Sequence, residues 1–240
     1  MSNKASENPK ENYKENPKEK INAKPEVSLV LASQSQGRLS LLAQMGFVPN
    51  VTLPSHINEE PLKKEKPKET SFRLAKEKAT FVIDMIKKGE ISNSDAANLA
   101  DTFVILGGDT VVAKKNIVAD KAENDEDVRK NMEILSGGSH RIFSSYYVAK
   151  VAKVNGVYEL MSETHGMKEA RVVFKHLTKN DIESMVASKA GIGKAGGYTI
   201  NSLGESFATK MSGCPSVIMG MPSYQVRNAL LSFGVKPTLF

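Results

Sequence analysis

The stretch Thr102-Phe103-Val104-Ile105-Leu106-Gly107-Gly108-Asp109-Thr110-Val111-Val112 decides the reading of this chain. Its first five residues are β-branched, aromatic or aliphatic, a run fit for a strand buried on both faces. Two glycines, an aspartate and a threonine then interrupt the run before the valines resume it. A carboxylate there conflicts with its surroundings, because burying it is costly unless it is paired or bound to a metal. An aspartate capping a turn is the plain alternative. A metal ligand or general base at the mouth of a sheet is the favoured reading.

Working outward toward the N-terminus, residues 27–32 form a short apolar run suited to a buried strand, broken by Ser33-Gln34-Ser35-Gln36-Gly37. Helical spacing follows over 38–45 through Leu39, Leu42 and Met45, with Gly46 placed for a left-handed cap. Residues 47–53 read as a second strand whose Pro49 marks an edge or a bulge. A long amphipathic helix spans 70–87, with Phe72, Ala75, Ala79, Val82 and Ile86 on one face. Residues 89–100 are polar and small, a surface loop.

Toward the C-terminus, 125–135 is a helix with Gly137 as its stop. Long strands occupy 141–176, joined at Asn155-Gly156, a hairpin signal because both positions tolerate positive φ. Thr178-Lys179-Asn180-Asp181 resembles a capping box opening a helix to about 187. A glycine-rich stretch at 191–197 and a last helix over 224–231 complete the chain. Alternating strands and helices, a β-rich middle and a return to helix give one α/β or α+β domain over 27–240. Two lobes around a cleft suit that order. Residues 1–26 hold almost no large apolar side chains and a crude Asn-Pro-Lys-Glu repeat, so they read as a disordered extension.

The 240 residues can bury a sizeable core, and their 40% hydrophobic and 25% charged content is ordinary for a globular chain. No apolar run approaches the ~20 residues of a membrane span, and the start has no signal-peptide core. The single cysteine, Cys214, excludes an intramolecular disulfide and fits a reducing compartment, so the cytoplasm is the expectation. Of the net charge of +6, six lysines and five glutamates in 1–26 carry about +1. The modest remaining excess suits an anionic ligand such as a triphosphate. No basic strand is studded with aromatics, which argues against nucleic acid as a partner. The basic loop 63–68, punctuated by Pro67, reads as solvated.

After Leu31 the chain offers two hydroxyls, Ser33 and Ser35, then Gly37 and Arg38 as a helix begins. Helix N-termini present free N–H groups to phosphates, and an arginine adds a bidentate grip. Glu59 and Glu60 lie in a polar loop, either as solvated acids or as ligands to Mg²⁺, which takes one or two carboxylates plus substrate oxygens. On the residues alone Lys78 and Lys121 read as surface lysines, and His140 as structural. The four histidines lack zinc-ligand spacing. There is no Walker loop and no nucleophile elbow.

In order, the motifs run Leu31-Ala32-Ser33-x-Ser35-x-x-Arg38-x-x-Leu41-Leu42, Glu59, Arg73-Leu74-Ala75-x-Glu77-Lys78-Ala79, Leu106-Gly107-x-Asp109-Thr110-Val111-Val112, Lys121, Leu135-Ser136-Gly137-x-x-His140 and Lys194-Ala195-Gly196-x-Tyr198-x-Ile200. That series resembles the Maf family of nucleoside triphosphate pyrophosphatases from about Val27 to the C-terminus.

The resemblance implies a single elongated domain, similar in shape to inosine triphosphate pyrophosphatases, with a central mixed sheet and a cleft between two lobes. It implies hydrolysis of a nucleoside triphosphate to the monophosphate and diphosphate, dependence on a divalent cation (Mg²⁺ or Mn²⁺), and homodimers. Asp109 would be the proton acceptor and, with Glu59, a metal ligand. Ser33, Ser35, Arg38, Lys78 and Lys121 would line the phosphate path. Thr110 and Asn201 stand where the family selects the base.

The chain departs from the family pattern at Gly37, which replaces one of two arginines, and at Ser40, His56, Asn58, Ala122 and Asn201. Those departures leave the base open. They also admit a second reading, a non-catalytic nucleotide-binding regulator of cell division.

Overall fold

The computed structural model describes residues 25–238. The extension read over 1–26 therefore lies outside the described residues except for its last two. Along the chain the elements are β1 (Ser28–Leu31), α1 (Gln36–Gln44), β2 (Val51–Thr52), α2 (Pro67–Lys88), α3 (Asn93–Asn98), β3 (Thr102–Lys114) and β4 (Ile117–Ala119). They continue with α4 (Asp125–Leu135), β5 (Gly138–Val154), β6 (Val157–Phe174), α5 (Lys179–Ser188), β7 (Ala208–Ser212), α6 (Pro215–Ile218) and α7 (Ser223–Ser232).

The strands join in one mixed sheet, ordered β2-β1-β3-β5-β6-β7, with β4 pairing β3 off that path. β1 lies parallel to both β2 and β3. β3, β5, β6 and β7 then run antiparallel to one another in turn. The β5–β6 hairpin turns at Asn155 and Gly156, both at positive φ (50° and 85°), as the Asn-Gly pair predicts.

Three hydrophobic clusters hold the sheet. Leu31, Val104, Leu106 and Val148 pack with Leu41, Leu42, Val226 and Leu230 of α1 and α7. Neighbouring residues of opposite pleat, Val30, Phe103, Ile105 and Tyr147, pack with Ala79, Val82 and Ile86 of α2. Farther along, Val112, Ile142, Val172 and Phe174 pack with α4 and α5. The long strands β3 and β5 thus change partners midway. At that change, Asp109 of β3 pairs with Ser145 of β5, and Thr110 with Ser144. A polar belt crosses the middle of β3 and β5, whose flanking residues are mostly apolar and buried.

The structure corrects the sequence in four places. Gly107–Thr110 does not interrupt the strand: β3 runs unbroken for 13 residues and pairs with β5 throughout. Of 47–53 only Val51–Thr52 pairs, because Pro49 has no N–H and the Asn50 side chain accepts from the Leu29 N–H (2.7 Å) instead. Residues 93–98 form α3, capped by Ser92, within the expected loop 89–100. Phe72 is half-buried and meets the His165 ring edge-on at 5.0 Å rather than entering the core. Among the described residues no helix is long and apolar enough to cross a membrane.

Candidate active site

Parallel pairing of β1 with β3 puts the end of β1 beside Leu106, where the Ala32 N–H donates to the Leu106 carbonyl (2.9 Å). The chain leaves the sheet there and enters α1 through a serine-capped turn. Ser35 caps the helix, accepting from the Arg38 N–H (3.4 Å). The Ser33 hydroxyl accepts from the Ser35 N–H (3.1 Å) and from Nη1 of Arg38 (3.0 Å). Arg38 is buried, only 8% exposed. Its Nε donates to the Gly220 carbonyl (3.1 Å) and its Nη2 to the Thr110 hydroxyl (3.3 Å). A guanidinium has five N–H donors, so one remains on each terminal nitrogen. Two such donors are what a bidentate grip on a phosphate needs.

From the other side of the sheet α2 presses unusually close to β3. A Cβ on Gly107 would fall 2.3 Å from the Ala75 carbonyl and 2.8 Å from the Ala79 Cβ. That contact seats Lys78 over the belt, where its Nζ lies 2.7 Å from Asp109 Oδ1 and 2.7 Å from Glu59 Oε2. Lys78 and Asp109 have side-chain exposures of 9% and 8%, against 51% for Glu59. The surface reading of Lys78 is therefore overturned: with no side chain at Gly107, the buried stripe of α2 widens to include it. Burial pushes the Asp109 carboxyl above the ordinary carboxylate range, opposed by the charges of Lys78 and Arg38. A carboxylate held that way is a better proton acceptor near neutral pH.

The loop carrying Glu59 is clasped to α2. Arg73 donates to both Glu65 oxygens (2.7 and 2.9 Å), to Glu77 (2.8 Å) and to the Glu60 carbonyl (3.0 Å). The sequence motif offers Arg73, but nothing in its spacing names Glu65 as partner. Ser144, Ser145 and Ser71 were missed as well. Ser71 and Ser145 share a hydrogen bond (2.8 Å) between α2 and β5. Two serines inside Ile142-Phe143-Ser144-Ser145-Tyr146-Tyr147 are the same kind of local conflict that singles out Asp109, and that signal could have found them.

Ser33, Ser35, Arg38 and Thr110 thus form one bonded group and Lys78, Asp109 and Glu59 another, on opposite faces of β3 but near enough for Arg38 to feel the charges of Asp109 and Glu59. Lys121 and Asn201 are not bonded to them. Lys121 is exposed, pairs with Glu123 (2.8 Å) and forms a backbone bridge to Ala195. Asn201 is exposed and accepts from the Thr199 hydroxyl (2.6 Å).

Asp109 and Glu59 already converge on one cation, the Lys78 ammonium. Among the described residues no three His, Cys, Asp or Glu side chains cluster to hold a metal by themselves. Two carboxylates that need added oxygens fit Mg²⁺ or Mn²⁺ arriving with a triphosphate, and do not fit a closed structural metal site.

A mixed seven-stranded α/β sheet with a buried acid beside two cations in the middle of β3 suits a class of proteins that handle phosphate. Within that class the chain belongs to the family described as Maf-like protein, whose model matches residues 28–233. It is 37% identical over 206 residues to a nucleoside triphosphate pyrophosphatase of Orientia tsutsugamushi, covering 86% of this chain and 92% of the relative. It is 37% identical over 207 residues to a dTTP/UTP pyrophosphatase of Novosphingobium aromaticivorans, with the same coverages. A dTTP/UTP pyrophosphatase of Caulobacter vibrioides is 36% identical over 210 residues, 88% of this chain and 97% of the relative.

Proposed function

We propose that this chain is a nucleoside triphosphate pyrophosphatase, hydrolysing the bond between the α and β phosphates to release a monophosphate and pyrophosphate. The carrying observation is the buried Asp109 carboxylate, 2.7 Å from Lys78 and beside Arg38. Arg38 grips phosphate oxygens with its two uncommitted N–H groups. Lys78 offsets negative charge on the phosphate chain, and Ser33 holds the guanidinium in place. Asp109 accepts the proton of the attacking water; charge neutralisation and in-line positioning supply the rest of the rate. Mg²⁺ or Mn²⁺, held by Asp109, Glu59 and substrate oxygens, would supply Lewis acidity and lower the pKa of water.

The names of the relatives support a pyrimidine base, thymine or uracil, in the preferred substrate. The test is pyrophosphate release from a panel of triphosphates, with and without Mg²⁺ or Mn²⁺. Metal-dependent release, fastest with dTTP and UTP, is expected. Nucleotide binding with no pyrophosphate released from any triphosphate would favour the regulator reading instead.

A further inference from the structure

We infer that Thr110 and Ser144 are positioning residues for Arg38. The inference rests on the proposed role of Arg38 as the phosphate-gripping group. Its basis is the direction of a partly buried hydrogen-bond chain. The Ser144 hydroxyl donates to the Val217 carbonyl at 2.7 Å, which uses its only proton. In the 3.0 Å contact between the two hydroxyls Thr110 must therefore be the donor. The same Thr110 proton also faces the Gly220 carbonyl at 3.3 Å. Thr110 in turn accepts from Nη2 of Arg38 at 3.3 Å. The relay runs Arg38 to Thr110 to Ser144 to Val217, with the single Thr110 proton shared between Ser144 and the Gly220 carbonyl.

The chain ends on the segment 217–220, which also receives Nε of Arg38 at the Gly220 carbonyl. Two features let this segment come so close. Gly220 sits at φ 111°, a conformation side chains rarely adopt, with a Cβ position 3.3 Å from the Thr110 hydroxyl. At Gly37 a Cβ would lie 3.1 Å from the Met219 carbonyl, so the absence of a side chain there lets the segment approach without shifting. Arg38 is thus fixed through Nε by Gly220 and through Nη2 by a relay that reaches α6. With Nη1 held by Ser33 and Nε by Gly220, each loss in the relay removes the third anchor and loosens the guanidinium, which weakens its grip on phosphate whatever base the nucleotide carries.

The test measures kcat/KM for dTTP, UTP, CTP and GTP, and pyrophosphate binding by calorimetry, in Thr110→Ala, Thr110→Ser, Ser144→Ala and the double alanine variant. Thr110→Ala and Ser144→Ala are expected to lower kcat/KM by roughly tenfold for every triphosphate alike and to weaken pyrophosphate binding in parallel. Their effects should be less than multiplicative in the double variant, and Thr110→Ser should restore both readouts. A loss that differs severalfold between bases, or unchanged pyrophosphate binding, overturns the inference. If Ser144→Ala does not fold, the Thr110 pair decides alone, since Thr110 is only partly buried. A wild-type chain that hydrolyses no triphosphate sinks the proposed function, while pyrophosphate binding still decides the relay.

Discussion

Lys78 and Asp109 stand 31 positions apart in sequence and meet at 2.7 Å inside the protein, the ammonium of α2 on the carboxylate of β3. Neither helix nor strand favours that burial alone. Each charge is tolerable because the other is there, and because Glu59 and Arg38 complete the cluster.

Removing one partner should therefore cost more than removing both. Lys78→Met leaves Asp109 buried without its ammonium and is expected to destabilise the fold by about 3 kcal/mol. The double variant Lys78→Met/Asp109→Leu should recover most of that loss in urea unfolding. Additive losses would show that the two groups are not coupled.

Gly107 sets the height of α2 above β3. Gly107→Ala puts a methyl 2.3 Å from the Ala75 carbonyl and should cost roughly 2–3 kcal/mol through overpacking. Because the helix must lift to accept it, hydrolysis should fall as well. Thermal unfolding and pyrophosphate release, measured on the same sample, check both.

The clasp between Arg73 and Glu65 holds the Glu59 loop. Arg73 and the hydrogen bonds from Thr70 and Leu62 pull the Glu65 carboxyl down to about 2 from 4.5. A carboxyl held low stabilises the fold above its ordinary pKa, so that contribution fades as pH falls from 4.5 toward about 2. Glu65→Gln should remove this acid-side loss and raise the substrate KM severalfold by freeing the loop. Titrated unfolding and steady-state kinetics test the two parts.

Much of this was legible beforehand. The strand core of β3, the whole of α4 and the Asn155-Gly156 turn follow from apolar runs, period and turn chemistry. Asp109 declared itself by contradicting its neighbours. What the sequence hid depends on pairing across long separations. Nothing local distinguishes Lys78 from Lys76 until Gly107 is known to pack beneath α2. The carbonyl of Gly220 carries no side-chain signal, and it reaches Arg38 across 182 positions. Short β7 and α6 were likewise unmarked, since four or five residues show no reliable period.

His140 offers a test of the third cluster. It is buried, with Nε2 2.7 Å from the Tyr198 hydroxyl and Nδ1 without a hydrogen-bond partner among the described residues. Burial, aided by the Lys114 charge, pulls its pKa down to about 4 from 6.5. The native state therefore holds this ring neutral where the unfolded chain would protonate it. Stability is full above 6.5 and is lost as pH falls through about 4, by about 3 kcal/mol. His140→Phe should flatten the unfolding free energy over that range; an unchanged slope would assign it to other groups.

The most direct test of the account is pyrophosphate release by Asp109→Asn, beside the native chain, with Mg²⁺ and dTTP or UTP. The amide keeps the size of the side chain but has lost the basic oxygen. Turnover should drop by roughly 10²- to 10⁴-fold while thermal unfolding stays cooperative. The native pH–rate profile should also lose activity on its acid side above the ordinary carboxylate range, as the raised Asp109 carboxyl protonates. Full turnover in Asp109→Asn would contradict the account at its centre.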